Sequence, residues 1–157
     1  YFKGHWYLSY INSAAPTGVC RVSKLELLED GSVHKKTYGY KEVGGVTEFE
    51  ETHCNGTLGS DKAKVKLQCH YLKNSEAKNY EMDGTVLDTD YDNFSVYYIC
   101  ANRGGENLGD HFLVASRHKG EEPTDSRVAE TLKKHGHFLD KFVSRKNVEC
   151  KDHPDFK

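Results

Sequence analysis

The sequence lacks the features of a membrane-spanning or nucleic-acid-binding protein. Its 157 residues contain no run of 18 apolar residues, so a membrane-spanning helix is excluded. Lys and Arg total 22 and Asp and Glu total 24, and the net charge of -2 argues against a nucleic-acid partner, which requires a basic patch. The length fits one domain over residues 1–157.

Motifs of common enzyme classes are also missing. The chain has no Gly-x-Ser-x-Gly elbow, no His-Glu-x-x-His zinc motif and no glycine-rich phosphate loop. The nine histidines form no metal-site pattern, and His135 and His137, two residues apart beside Gly136, are expected at the surface. We therefore predict a binding protein with no enzymatic activity, no cofactor and no metal.

The five cysteines are widely spaced, and none of them forms a Cys-x-x-Cys pair. They are Cys20, Cys54, Cys69, Cys100 and Cys150. Zinc and thioredoxin-type sites therefore lack their signature, whereas wide spacing is typical of disulfides in secreted proteins. The odd count leaves one thiol either free or paired outside these residues. Sequons at Asn55 and Asn93 also favour an extracellular protein.

The first 120 residues consist of short extended segments separated by turn signals. Residues 64–69 alternate polar and apolar side chains, and residues 96–99 are β-branched or aromatic, both typical of strands. The predicted strands are 6–11, 22–28, 33–40, 46–52, 64–69, 79–87, 94–101 and 111–116. Eight strands at this spacing indicate an all-β antiparallel barrel or sandwich.

A helical pattern follows the strands. Thr124, next to Pro123, is the predicted N-cap. An apolar stripe that would pack on the barrel wall comprises Val128, Leu132, His135, Leu139 and Phe142. Gly136 weakens this helix by ~1 kcal/mol and marks a candidate break into two helices.

Three parts of the chain resemble known lipocalins. Gly4-His5-Trp6-Tyr7 carries the Gly-x-Trp pattern, eight strands and one helix follow in the lipocalin order, and Thr89-Asp90-Tyr91 resembles the second lipocalin motif. Segments 1–7, 107–114 and 131–150 resemble the salivary lipocalins of triatomine blood-feeding bugs, which include nitrophorins, triabin-like proteins and amine binders. The resemblance implies an eight-stranded antiparallel up-and-down lipocalin barrel with a C-terminal α-helix packed on it.

The same resemblance implies how the cysteines pair. Cys20 would pair with Cys150, and Cys54 with Cys69. Cys100 would pair with a cysteine upstream of Tyr1, which would account for the odd count.

One segment departs from the nitrophorin pattern. Nitrophorins hold haem through a histidine in a Tyr-His-Tyr segment, and this chain has Tyr38-Gly39-Tyr40 at the apparent equivalent. Glycine has no side chain to ligate iron, and His34 lies five residues away. We predict that haem is not bound as in a nitrophorin, and that Gly39 enlarges a cavity for another small molecule.

Strand alternation predicts which side chains face that cavity, with Trp6 and Gly39 taken as inward anchors. The predicted ligand-binding residues are Leu8, Tyr10, Lys35, Thr37, Gly39, Glu48, Glu50, Asp83, Thr85, Tyr97, Ile99, His111 and Leu113. The carboxylates of this set need a cation if they are buried. Either Lys35 supplies it, or the ligand does.

If the ligand supplies the cation, it is a biogenic amine such as serotonin, noradrenaline or histamine. Its ammonium would pair with Glu48, Glu50 or Asp83. Its ring would contact one of the tyrosines, Tyr10, Tyr38, Tyr40 or Tyr97. The predicted protein is a monomeric salivary scavenger of a host mediator of haemostasis or inflammation.

Two alternatives remain open at this point. An eicosanoid, such as a cysteinyl leukotriene or a thromboxane analogue, would place its anion near Lys35, Lys41 or Arg103, and ADP would make similar demands. A triabin-like protein would instead inhibit a clotting protease through the barrel surface. That alternative predicts a filled barrel and an exposed apolar patch.

Overall fold

The structure, a computed structural model, describes residues 3–12, 19–58, 63–73, 76–119 and 121–154. Eight antiparallel strands of this part of the chain close into a barrel, because β1 pairs with both β2 and β8. The strands are β1 (Gly4–Ile11), β2 (Val22–Leu27), β3 (Ser32–Val43), β4 (Val46–Leu58), β5 (Lys64–Lys73), β6 (Glu76–Thr89), β7 (Phe94–Arg103) and β8 (Glu106–Ser116). A short strand, β9 (Val143–Ser144), pairs with the end of β1. The predicted eight-stranded lipocalin barrel is confirmed.

Tight glycine turns mark one end of the barrel, which we call the mouth. Gly44 and Gly45 join β3 to β4 with φ angles of 59° and 79°, and Gly104 and Gly105 join β7 to β8 with φ angles of 58° and 83°. Two successive residues with positive φ suit a two-residue hairpin turn, which glycine adopts without strain. The long hairpins therefore surround the mouth.

The opposite end of the barrel is closed by a tryptophan and an arginine. Trp6 is 3% exposed, and the Arg117 guanidinium lies 3.7 Å from the centre of its ring. Arg117 also donates to the backbone oxygens of Lys3 at 2.6 Å, His5 at 2.9 Å and Tyr91 at 2.9 Å. These contacts tie the start of β1 to the turn before β7, so the barrel is a cup closed at this end.

The helix α1 spans Ser126–Lys134, and its N-cap differs from the prediction. The cap is Asp125, whose side chain accepts from the backbone N–H of Arg127, and not Thr124. Because residue 125 has an extended backbone conformation, the helix begins one residue later than Thr124 would allow. Among the described residues, no helix is long and apolar enough to cross a membrane.

The predicted apolar stripe splits where α1 ends. Val128 and Leu132 are fully buried against the outer face of β7 and β8, whereas His135 is the C-cap. Gly136 follows with a φ of 79°, so the chain leaves the helix at the predicted break. Leu139 and Phe142 still pack on the same apolar cluster, but from a 3₁₀ turn at Leu139–Lys141 and the residue after it.

Two disulfides join distant parts of the chain. The Cys20–Cys150 disulfide attaches the C-terminal tail to the segment just before β2. The Cys54–Cys69 disulfide joins residues that lie directly opposite each other on β4 and β5. Both are the pairs that the resemblance implies. Cys100 on β7 is in no disulfide within the described residues, and its pairing with an upstream cysteine stays a prediction.

The outer side of β3 is covered by the C-terminal tail. The Tyr40 hydroxyl donates to the backbone oxygen of Glu149 at 3.3 Å and accepts from the backbone N–H of Lys151 at 3.1 Å. The His153 ring packs 5.0 Å from the Tyr38 ring, measured between centres. A pocket of about 190 Å³ between tail and barrel also borders Gly39.

Candidate ligand-binding site

The barrel encloses a cavity of about 230 Å³ on the mouth side of Trp6. A smaller cavity of about 30 Å³, lined mainly by apolar residues of the closed half, continues it. The two share Lys35, Met82, Tyr97 and Ile99. The larger cavity is lined by Trp6, Leu8, Arg21, Ser23, Lys35, Thr37, Gly39, Glu50, Thr52, Cys54, Tyr71, Tyr80, Met82, Tyr97, Ile99 and Leu113. One chamber therefore combines an apolar interior with a polar wall.

The structure brings together eight of the thirteen predicted site residues at the larger cavity. They are Leu8, Lys35, Thr37, Gly39, Glu50, Tyr97, Ile99 and Leu113. Pairing explains why these residues share a face, since Gly39 is opposite Glu50 and Tyr97 is opposite Leu113. Thr85 borders only the smaller cavity.

Tyr10 was predicted to point inward, and this prediction is wrong. The pairing of β1 with β8 shifts between Leu8 and Tyr10, so a bulge reverses the alternation there. Tyr10 instead packs near α1 on the outer face, and its hydroxyl donates to Glu122 at 2.8 Å. Burial and that hydrogen bond raise the pKa of Tyr10 to about 12.

Asp83 was also predicted to point inward and is wrong by one residue. Met82 and Gly84, its neighbours on β6, border the cavities, and the Asp83 side chain is exposed. The predicted alternation on β6 is therefore out of step at Asp83, although Thr85, predicted with the same parity, borders the smaller cavity.

Glu48 and His111 have the predicted parity but do not line either cavity. Glu48 lies opposite Lys41 at the mouth, where the Lys41 ammonium is 3.9 Å from its carboxylate. His111 is the cross-strand partner of Ile99, and its ring nitrogen Nδ1 donates to the backbone oxygen of Asn12 at 3.2 Å. Glu48 is therefore a rim residue of the mouth, whereas His111 is bonded to the residue that follows β1.

Several lining residues were missed at the sequence level. Tyr71 and Tyr80 follow the inward alternation that Leu67 and Met82 establish, so extending the period-two pattern would have found them. Arg21 precedes β2 but continues the alternation of Ser23 and Leu25, which also border the cavities. Extending that pattern by one step before the strand would have found it.

The polar wall contains one carboxylate that already has partners. Glu50 accepts from the Tyr71 hydroxyl at 2.7 Å, and the Lys41 ammonium lies 3.6 Å from the same carboxylate. Burial, followed by the bond to Glu50, raises the pKa of Tyr71. Glu50 is therefore a hydrogen-bonded acid near the mouth that shares one lysine with Glu48.

Two cations also line the cavity. The Lys35 ammonium lies 5.8 Å from the centre of the Tyr97 ring, and within the described residues neither Lys35 nor Arg21 has a carboxylate at ion-pair distance. Burial lowers the pKa of Lys35 to about 8, and the positive charge of Arg21 contributes to that shift.

These features define a lipocalin: a cup-shaped antiparallel barrel, a cavity above a buried tryptophan, and a helix packed on the wall. The Nitrophorin family model matches residues 1–157, and the chain belongs to this family. It is 25% identical over 148 residues to pallidipin of Meccus pallidipennis, covering 93% of this chain and 77% of that protein.

Two solved structures share the fold. A biogenic amine-binding protein superposes with a TM-score of 0.78 at 18% identity, covering 96% of this chain and 83% of that one. LTBP1 in complex with leukotriene C4 superposes with a TM-score of 0.63 at 20% identity, covering 96% and 84%. The family and its neighbours are ligand-binding proteins.

The cavity of this family member does not fit a haem held as the family name implies. Among the described residues that line it there is no histidine, and His34 is exposed on β3. A Cβ at Gly39 would lie 3.2 Å from Cγ of Arg21, so the Arg21 side chain already occupies the space of a side chain at 39. The prediction that Gly39 enlarges the cavity is therefore wrong, because the Arg21 side chain fills the space that the missing side chain leaves.

Proposed function

We propose that the protein is a secreted salivary lipocalin that binds a small organic host mediator in its barrel and lowers the free concentration of that mediator. The observation that carries this proposal is the cavity of about 230 Å³ with a polar wall and an apolar interior. It exceeds the roughly 150 Å³ that holds a benzene ring, and it lies just below the range of about 300–1,000 Å³ of drug-sized ligand sites.

A biogenic amine is the first candidate ligand. Glu50 supplies the carboxylate for its ammonium, and Tyr97 and Tyr71 supply aromatic faces. Of the three acids that the amine hypothesis offered, Glu50 alone lines the cavity, which weakens this candidate.

An eicosanoid or similar organic acid is the second candidate ligand, and Arg21 and Lys35 favour it. Their positive charges suit a carboxylate, and the apolar side chains toward the closed end suit a hydrocarbon body. A cavity of this size accommodates only part of a long chain, so the rest would extend through the mouth.

A third candidate is inhibition of a clotting protease through the barrel surface. The open cavity speaks against the filled barrel that this alternative predicts. The β3–β4 hairpin does expose apolar side chains near the mouth, at Val43 (52%), Val46 (62%) and Phe49 (43%).

Native mass spectrometry after incubation with pooled amines, eicosanoids and nucleotides tests the proposal. We expect a 1:1 complex with the wild-type protein. The Ile99→Trp variant, whose larger side chain fills the cavity, should lose this complex. The Tyr98→Trp variant is the control and should retain it, because Tyr98 contacts Phe112 on the outer wall. If no pooled compound binds below micromolar concentration while a clotting protease is inhibited, the surface alternative replaces this one.

A further inference from the structure

We propose that Arg21 and Lys35 form an anion-binding pair inside the barrel, and that the mediator bound there carries a carboxylate or another organic anion, and not an amine. This inference rests on the proposed function and assigns the charge of its ligand.

The Arg21 side chain reaches the cavity by packing on Gly39. Its Cγ lies 3.2 Å from where a Cβ of residue 39 would be, and Arg21 lines the cavity. A larger residue at 39 would displace this side chain. The absence of a side chain at residue 39 therefore leaves room for the Arg21 side chain to extend across β3 into the cavity.

Lys35 approaches from the same strand as Gly39 and faces the same way. Residues 35, 37 and 39 alternate inward on β3, so Lys35 lies two positions deeper than Thr37. The ammonium borders both the larger and the smaller cavity, and its nearest aromatic face is Tyr97 at 5.8 Å. An anionic group at Lys35 would therefore sit at the boundary between the polar wall and the apolar interior.

The charge balance of the cavity decides the sign of the ligand. Arg21 and Lys35 are positive, and Glu50 is the acid among the lining residues. Glu50 accepts from the Tyr71 hydroxyl and shares the Lys41 ammonium with Glu48, so these three cations and two carboxylates leave one positive charge unbalanced. The Arg21 and Lys35 side chains are both only partly exposed at the cavity, so the two cations repel each other and each is costly without a counter-charge. A carboxylate with hydrogen bonds to both would relieve that cost, whereas an ammonium would add a third positive charge.

The apolar part of the ligand has a place beside this pair. Met82, Tyr97 and Ile99 border both cavities next to Lys35. A flat ring or a short acyl chain would pack on these side chains while its acidic group reaches Lys35. The predicted ligand class is thus a small aromatic or aliphatic acid, or the acidic end of a longer lipid.

Three indoles with the same ring and different charge test the inference by calorimetry. Indole-3-acetate is an anion, tryptophol is neutral and tryptamine is a cation at neutral pH. We expect indole-3-acetate to bind at least tenfold more tightly than tryptamine, with tryptophol between them. The double variant Arg21→Gln/Lys35→Met should abolish this order, whereas Lys36→Met, on the exposed face of the same strand, should keep it.

A second measurement needs no variant. An anion beside Lys35 favours its charged form, so indole-3-acetate should bind with net proton uptake near pH 8, seen as a dependence of the heat on the buffer's ionisation enthalpy. Tryptamine should give no uptake. This readout holds even if the double variant does not fold.

The outcomes separate the inference from the proposed function. Tighter binding of tryptamine, or equal binding of all three indoles, overturns the anion pair and leaves the ligand-binding function intact. If no indole binds, the charge of the compounds retained in native mass spectrometry decides: anions support the pair and amines overturn it. If nothing binds in either experiment, the proposed function itself is wrong, and the pair with it.

Discussion

Replacing Lys35 by methionine should make the folded protein more stable at neutral pH. Burial lowers the pKa of Lys35 from 10.5 to about 8, so the charged lysine opposes folding. A difference of this size corresponds to about 3 kcal/mol. Because the Lys35 side chain is partly exposed, solvent screens part of this cost, and we expect Lys35→Met to raise the free energy of unfolding by about 1–3 kcal/mol. Methionine keeps the length of the aliphatic chain.

The pH dependence of this gain has a definite sign. Below about pH 8 Lys35 is charged in both the folded and the unfolded state, and the cost is fully present. Between about pH 8 and 10.5 the folded state loses the proton first, so the unfolded state binds more protons and the wild type gains stability as pH rises. The advantage of Lys35→Met should therefore shrink by about 1 kcal/mol between about pH 6.5 and 9.

Urea unfolding, followed by the fluorescence of Trp6, measures both quantities. Lys36→Met is the matched control, because its parent residue is exposed on the same strand, and it should change stability little at either pH. A Lys35→Met protein that is less stable than the wild type at pH 6.5, or an advantage that does not change with pH, would refute the reasoning.

Four further predictions follow from the fold. Replacing both Cys54 and Cys69 by serine opens a loop of 15 residues and should lower the free energy of unfolding by about 3 kcal/mol in chemical denaturation. Gly56→Ala would place a Cβ against the backbone oxygen of Lys66 on β5 and should cost about 1–3 kcal/mol, whereas Gly84→Ala, with ordinary contacts, should cost less in the same assay. Asp125→Ala removes the helix cap and should lower thermal stability by about 1 kcal/mol. Titration with haem should produce no Soret band typical of imidazole-ligated iron. Such a band would contradict the conclusion that the cavity offers no histidine to haem iron.

The fold could be predicted from the sequence because its signals are local and repeated. Alternation on β3 placed Lys35, Thr37 and Gly39 on one face, and the same rule placed Tyr97 and Ile99 on β7. The order of strands and helix, together with the Gly-x-Trp segment, then specified a closed barrel. None of these inferences required a long-range distance.

The remaining site residues depended on features that alternation does not encode. A bulge after Leu8 turned Tyr10 outward, and no residue pattern in β1 announces it. The alternation of polar and apolar residues in β6 is weak, so the sequence predicts Asp83 inside the barrel where the structure has Met82. Arg21 lies just before β2, and its packing on Gly39 depends on how β2 and β3 pair, which a residue pattern does not specify.

Gly39 lies at a point of the barrel wall that the C-terminal tail covers from outside. The same backbone position borders the chamber on one side and the pocket under the C-terminal tail on the other, so the wall there is one main chain thick. The C-terminal tail, held by the Cys20–Cys150 disulfide, covers the outer side of the wall at this position. Reduction of that disulfide would free the tail from the barrel, so the cover over this point of the wall is expected to depend on the redox state of the surroundings.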